Sequence, residues 1–577
     1  MDSSYTHTRP WSRARLALSL ALAGLVLSMV AAPPSEAGPK GVDFTLTVLH
    51  NNDGESDLLA SDSDADPGAG TISRFGWLLD DLRDDALRGP TKPRGKSGVI
   101  AITAGDNFLA SPEWQASLDK GVPFYDAIAL DHIGYDAFTI GNHEFDFGPE
   151  VLADFISSFS DGNVFLSANL DFSQEPALQA LADQGRIRPS IVVKERGERI
   201  GIVGATTPEL REVSSPGDVI IDEDVAGAVQ AEVDRLTSMG IDKILVSSHL
   251  QDITNELELV THLDDVDAVI GGGGGEDIAA NYPLVAIDSD GDEVPVVTVP
   301  GDYFDVGRLV LEFDKAGEVV GWGGGLEPVT SGLPQDQFLV EQVEEPVADY
   351  LLALSQDIIA TSEVGLNGLR SQVRTRETNV GNLMTDGFLA TATAKAAEFG
   401  VPEPDVALQN GGGIRNDSII ESGEISLLDT FDIAPFTNFV AVIPDVATTD
   451  FVAAVEHGLA GLPSAAGSFA QWGGLTVTYD AAAPAGSRVV DLTLDDGTAV
   501  VSGGVIVSAE PVTIATIDFL AVGMDGYNMF ESYDFTRVGV SYQQSLANWI
   551  EGLGTITAAE YADPVDPAAR TRIIPQP

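Results

Sequence analysis

The sequence contains no cysteine. Disulfides, thiolate metal sites and a thiol nucleophile are excluded together, so any chemistry rests on oxygen and nitrogen groups. Basic residues are scarce as well: 30 Lys and Arg stand against 89 Asp and Glu, a formal net charge of −59. Nucleic acid polymers and anionic membrane surfaces demand clustered Lys and Arg to replace counterions, which excludes both as partners. A small anion in a local basic pocket is not excluded.

Long apolar runs are nearly absent. The one at Leu16–Val30 has 15 residues, short of the ~20 that cross a bilayer. Arg9, Arg13 and Arg15 precede it, and small residues and prolines ending in Ser35-Glu36-Ala37 follow. That order is the layout of a secretory signal. The expectation is a signal peptide at 1–37, a mature chain without a membrane span, and a secreted product, extracellular or periplasmic. Two acidic stretches, 61–68 and 288–293, lack the Glu that an EF-hand requires at its twelfth position and read as solvated turns. No fixed-period repeat is present.

What remains is a 577-residue chain with 44% hydrophobic residues, too long for one core and suited to two domains. From Phe44 to about Gly325 strand-like runs alternate with amphipathic helical stretches. The strands are FTLTVLH, GVIAITAG, DAFTIGN, RIGIVGAT, KILVSSH and VDAVIGG; the helices centre on Ser73–Leu87 and Pro123–His132. Such alternation predicts an α/β layered domain whose ligands gather at the carboxyl ends of the strands. Residues 336–358 have helical periodicity interrupted by Pro346 and read as a connecting helix. A second mixed region runs from Gly365 to Arg537, with NFVAVIP, GGLTVTYD and VTIATIDFL as strands.

Polar groups cluster directly after four of the first-domain strands: His50 to Glu55, Gly105-Asp106-Asn107, Gly141 to Asp146, and His249. A lone Asp at a strand end is mostly a turn or helix cap. Four clusters at one inferred sheet edge are a different matter, because carboxylates, an amide oxygen and an imidazole together form a ligand set for divalent cations.

The order LH-x-ND, GDN, GNHEFD, SANL (167–170), His249 and GG resembles the calcineurin-like metallophosphoesterases, specifically the bacterial 5'-nucleotidase and UDP-sugar hydrolase family. Glu377 to Leu383, Asn410 to Arg415, Phe519 and Gly523 to Tyr527 resemble that family's C-terminal substrate domain. The likeness covers about residues 44–545. It implies a four-layer metallophosphoesterase sandwich at 44–330, the connecting helix at 336–358, and a mixed α/β substrate-binding domain at 360–545. It further implies a hydrolase releasing phosphate from nucleotides by two-metal hydroxide attack, with two divalent ions drawn from Mn, Mg, Ca or Zn. Asp53, Asp106, Asn142 and His249 would be metal ligands, Asp106 bridging, and His143 and Asp146 a catalytic dyad. Arg370, Arg374 and Arg415 would grip phosphate, Phe436 and Phe519 would sandwich a base, and Asn410, Asn438 and Asp525 would contact the nucleotide. Met524 replaces the second glycine of the family's GGDGY.

Three ligand positions depart from the family. Asp-x-His has become Asp53-Gly54-Glu55, and the His and the His or Gln after the paired glycines have become Gly273 and Gly275 in the run Gly271–Gly275. In one reading Glu55 replaces an imidazole while water, Glu276 or Asp277 fills other positions, which favours Mg, Mn or Ca over Zn. In the other, the centre has decayed and the protein binds nucleotides without hydrolysing them. An extracellular phosphodiesterase is the third possibility. The oligomeric state is not legible.

Overall fold

The fold is mixed α/β in a computed structural model describing residues 41–59, 66, 68–88, 96–274, 278–436, 438–565 and 571–576. The expected signal segment lies outside the described residues, as do Gly275, Glu276 and Asp277. The chain divides into two compact units, Met1–Asp349 and Tyr350–Pro577.

The first unit contains two sheets. Strands Phe44–Asn51, Lys96–Thr103 and Ala137–Thr139 pair in parallel at the centre of a seven-stranded sheet. Strands Glu198–Thr206, Ile244–His249 and Ala268–Gly272 pair in parallel within a six-stranded one. Side chains alternate across each strand, and that alternation builds the layers. Leu46, Val48, Ile100 and Ile102 from the first sheet meet Ile200, Ile202, Leu245 and Ile270 from the second in one buried core. The intervening residues Val203, Ala205, Val246 and Val269 face outward, onto Val229, Val233 and Leu236 of the helix Val225–Ser238. On the other side the helix Ile72–Arg88 buries Ile72, Phe75, Leu78, Leu79 and Leu82, spaced as one helical stripe, and packs on strands of the first sheet. The order is helix, sheet, sheet, helix.

The segment after Pro334 is helical, with an irregularity just before Pro346. Pro346 does not interrupt the helix: Gln337–Leu339 is followed by a π-helical turn, Val340–Glu344, and then by the helix Glu345–Gln356. Proline cannot donate a backbone hydrogen bond, and a wider turn just before it lets the chain stay helical.

The second unit is built on a five-stranded sheet that includes Val406–Asn410, Phe439–Val446 and Val512–Ile517. The helices Asn379–Phe399 and Tyr542–Leu553 pack together beside it. The run VTIATIDFL is not one strand, as its composition suggested. It is extended only to Ile517, and Phe519 falls in the single helical turn Asp518–Ala521. The change follows from Asp518, whose carboxylate accepts the N–H groups of Phe439 (3.0 Å) and Phe519 (3.1 Å) and a bond from Arg537 Nε (2.6 Å).

Candidate metal centre and anion pocket

Parallel pairing brings the first-unit clusters to one edge. Asn51 lies opposite Thr103, and the ladder continues past the strand ends. The Ala104 N–H donates to Asn51 O (2.8 Å), the Asp53 N–H to Gly105 O (3.0 Å) and the Glu55 N–H to Asp106 O (3.0 Å). The two acidic loops are therefore zipped together before any side chain acts. Asp53, Glu55 and Asp106 turn at φ of 50°, 49° and 52°, a left-handed geometry that costs a residue with a side chain ~1–3 kcal/mol and concentrates at functional sites.

A third loop is stitched on by Glu144. Its buried carboxylate accepts the N–H groups of Asp106 (3.0 Å), Asn107 (2.8 Å) and Gly141 (2.8 Å), and Asn107 Nδ2 (2.9 Å). Sequence reasoning quoted Glu144 inside GNHEFD without giving it a role. Its signal was a carboxylate between His143 and Asp146 that the implied chemistry did not use.

Two groups of ligand atoms result. Asp53, Asp106 and His249 offer atoms within 4.8 Å of one another, and so do Glu55, Asp106 and His143. Asp106 belongs to both. Asn142, 2% exposed, lies in the same loop as His143; its Oδ1 accepts a hydrogen bond from Gln251 Nε2. Gln251 was not singled out from the sequence.

The donor set fits a divalent cation. The decisive group is His249, whose Nδ1 sits 2.7 Å from Ala104 O, which places the proton on Nδ1 and leaves the Nε2 lone pair facing inward. Nε2 is fully buried and lies 2.8 Å from Asp106 Oδ2 and 3.9 Å from Asp53 Oδ1. Three lone-pair donors converging in a buried place is the pattern of a cation site. With protons alone to balance the charge, burial opposes ionisation of His249, but Asp106 and Asp53 outweigh it and push its pKa up to about 10. Burial also raises Asp53. At Asp106, burial is overcome by His249 and His143, which hold its pKa below the usual carboxylate value.

His143 is held at both ends. Its backbone N–H donates to Asp106 Oδ1 (2.8 Å), and its Nδ1 lies 2.7 Å from Asp146 Oδ2. The other Asp146 oxygen accepts Ser214 Oγ (2.8 Å). Burial disfavours charge on His143, and Asp146, Asp106 and Glu55 reverse that, bringing its pKa to about 10. Glu55 is pushed up to about 8 by burial and by Asp302, Asp53 and Asp106, against the pull of His143.

The glycine run closes on the same place. Gly273, at φ 94°, donates its N–H to Asp53 Oδ2 (2.9 Å). A Cβ there would sit 2.8 Å from both His249 Nε2 and Gln251 N. This backbone path has no room for the side chain the family carries.

In the second unit, Arg370 opens the short helix Arg370–Val373, Arg374 follows it, and Arg415 comes after the turn Gly411–Gly413. The three are electrostatic neighbours. Burial, then Arg370 and Arg415, bring the Arg374 pKa down to about 9, and its Nε is buried without a hydrogen-bond partner. Asn410 Nδ2 donates to Asp525 Oδ2 (2.7 Å), and Asp525, at φ 55°, offers its backbone oxygen to His457 Nε2 (2.9 Å). The Arg415 guanidinium lies 5.5 Å from the Phe436 ring centre. Tyr542 fixes the neighbouring chain: its hydroxyl accepts the Phe436 N–H and its N–H donates to Asn438 O, both at 2.8 Å. Phe436 and Phe519 both pack, partly buried, on the unit's core. His457 and Tyr542 were not legible as site residues, because their contacts join positions about 70 and 100 residues apart.

A layered double sheet with ligand groups at its strand ends, together with a second unit carrying an arginine cluster, defines a class of metallophosphoesterase-type hydrolase. The family model "5'-nucleotidase, C-terminal domain" matches residues 358–532. The 5'-nucleotidase of Diplobatis ommata is 30% identical over 526 residues, covering 88% of each chain. The trifunctional nucleotide phosphoesterase protein YfkN of Bacillus subtilis is 29% identical over 85% of this chain, which spans only 33% of that longer protein. The crystal structure of a 5'-nucleotidase precursor from Thermus thermophilus superposes with a TM-score of 0.69 at 31% identity, covering 92% of this chain and 100% of that one. The chain belongs to the 5'-nucleotidase family, a metal-dependent family of nucleotide phosphoesterases.

Proposed function

We propose that this protein hydrolyses phosphate esters of nucleotides, 5'-nucleotide monoesters first and UDP-sugars as a second substrate class, and that two divalent ions serve the reaction. Asp53, Glu55 and Asp106 would hold one ion, and Asp106, Asn142 and His249 the other. What supports two ions is that Asp106 belongs both to the group with Asp53 and His249 and to the group with Glu55 and His143, because one shared carboxylate would keep two cations close. The division of the other ligands between the ions, with His143 left to the ester, follows the family resemblance. Ions bound there supply the charge that neutralises phosphoryl oxygens and acidifies an attacking water.

The remaining work falls to the chain. Asp146, braced by Ser214, orients the His143 ring so that it can stabilise charge on the ester or give a proton to the leaving oxygen as the P–O bond breaks. Arg370, Arg374 and Arg415 repel one another, and an anionic ligand relieves that repulsion while its oxygens satisfy guanidinium forks. Phe436 and Phe519 offer flat apolar faces for a base, with Asn410, Asn438 and Asp525 as its polar contacts. Residues 44–330 would form the metallophosphoesterase domain and 360–545 the substrate domain. Export of the chain on residues 1–37 is part of the same reading. No described helix is long and apolar enough to cross a membrane.

An oxygen-rich donor set, with Glu55 in an imidazole position, favours Mg, Mn or Ca over Zn. The test is phosphate release from AMP, UDP-glucose and a generic phosphodiester after chelation and return of each single ion. Release from AMP with Mn or Mg is the expected result. Binding of AMP without release under any ion would leave a nucleotide-binding protein, and preference for the diester would make it a phosphodiesterase.

A further inference from the structure

We infer that Gln251 is a replacement metal ligand, supplying a side-chain amide oxygen to the ion held by Asp106, Asn142 and His249. This rests on the metal-dependent reading above. The imidazole the family places after its paired glycines is absent at Gly273, and a Cβ there would stand 2.8 Å from Gln251 N and 2.9 Å from Gln251 Cα. The main chain at position 251 therefore crowds out a side chain at 273 and sets Gln251 next to the place that side chain would take.

Gln251 is held at φ 76°, a backbone state unfavourable for a side chain this long and retained where function over-determines it. Its amide reaches Asn142 Oδ1, itself a ligand group, so the end of the side chain is already among the donors. An amide presents oxygen or nitrogen after a half-turn of its terminal torsion at little cost. With nitrogen inward it holds Asn142. With oxygen inward it offers a neutral hard donor next to Asn142 Oδ1. Nothing in the linear order hints at this: Gln251 follows His249 by two positions in an ordinary polar loop, and only the fold sets it against Gly273.

The test is calorimetric titration of the chelated full-length protein with Mn²⁺ alone, with Mn²⁺ electron paramagnetic resonance to count bound ions. Gln251→Gly should weaken one of two sites at least about tenfold, while raising the melting temperature of the ion-free protein because the φ strain is gone. Gln251→Glu should restore or tighten that site, since a carboxylate is a stronger ligand for Mn²⁺. If Gln251 merely positions Asn142 as a hydrogen-bond donor, Gln251→Glu sets two acceptors face to face and binds Mn²⁺ no better than Gln251→Gly, which overturns the inference. Unchanged Mn²⁺ binding in both variants overturns it as well and leaves the two-ion reading standing. A wild-type protein that binds no Mn²⁺ overturns both.

Discussion

The two clusters of this protein are built from opposite charges and held by opposite means. In the first unit carboxylates are crowded together by backbone: loops zipped by main-chain hydrogen bonds, left-handed turns at Asp53, Glu55 and Asp106, and Glu144 tying its own loop to that of Asp106. In the second, arginines are crowded by side-chain reach from two separate segments, with Asp525 and Asn410 nearby. Donors proposed to hold cations tolerate little displacement, and a frame of rigid main chain suits them. A phosphate grip can be made by flexible forks that reach their partner from several directions.

That contrast can be broken at defined points. The largest effect is expected from Asp106→Asn, which removes a carboxylate from both ligand groups; elemental analysis should show both ions depleted and turnover lost. Retention of both would dissolve the idea of a shared bridge. Next, His143→Ala should slow turnover ~10²–10⁴-fold with ion content unchanged, since the ring is proposed to act on the ester. If ion content falls in step with rate, His143 is a ligand instead.

On the other side of the comparison, Arg415→Ala should weaken AMP binding by about 2 kcal/mol and leave adenosine binding intact, as read by calorimetry. Equal losses for both would move Arg415 from phosphate to base. The smallest effect lies at the amino end of the strand Ala268–Gly272, away from both clusters. There Asp267 accepts the Ile244 N–H (2.7 Å), and burial raises its pKa to about 8. A raised acid pKa means the folded state holds the proton more tightly, so this group's stabilisation is full below about pH 4 and is lost as pH rises toward 8. Asp267→Asn should therefore flatten the fall in melting temperature between pH 5 and 8. A steeper fall would contradict the burial argument.

Much of this was legible because it is local. Apolar strand-like runs alternating with helical stretches announced the layered α/β unit, and GNHEFD placed His143 three positions from Asp146, close enough for the 2.7 Å contact to follow from loop geometry. VTIATIDFL misled because the partners of Asp518 that end the strand lie outside any short window. Met524 stays unexplained by any contact described for it.

By itself the sequence determined which side chains exist to do chemistry: no thiols, an excess of carboxylates, few arginines, and glycine where imidazoles were expected. Tertiary structure alone decided which of them meet. Asp106 joins two ligand groups, Gln251 stands beside Gly273, and Arg374, its Nε buried, lies beside two like charges. The reason is physical: a charge or lone pair gains its meaning from neighbours within a few ångströms, and here those neighbours lie up to hundreds of residues away along the chain.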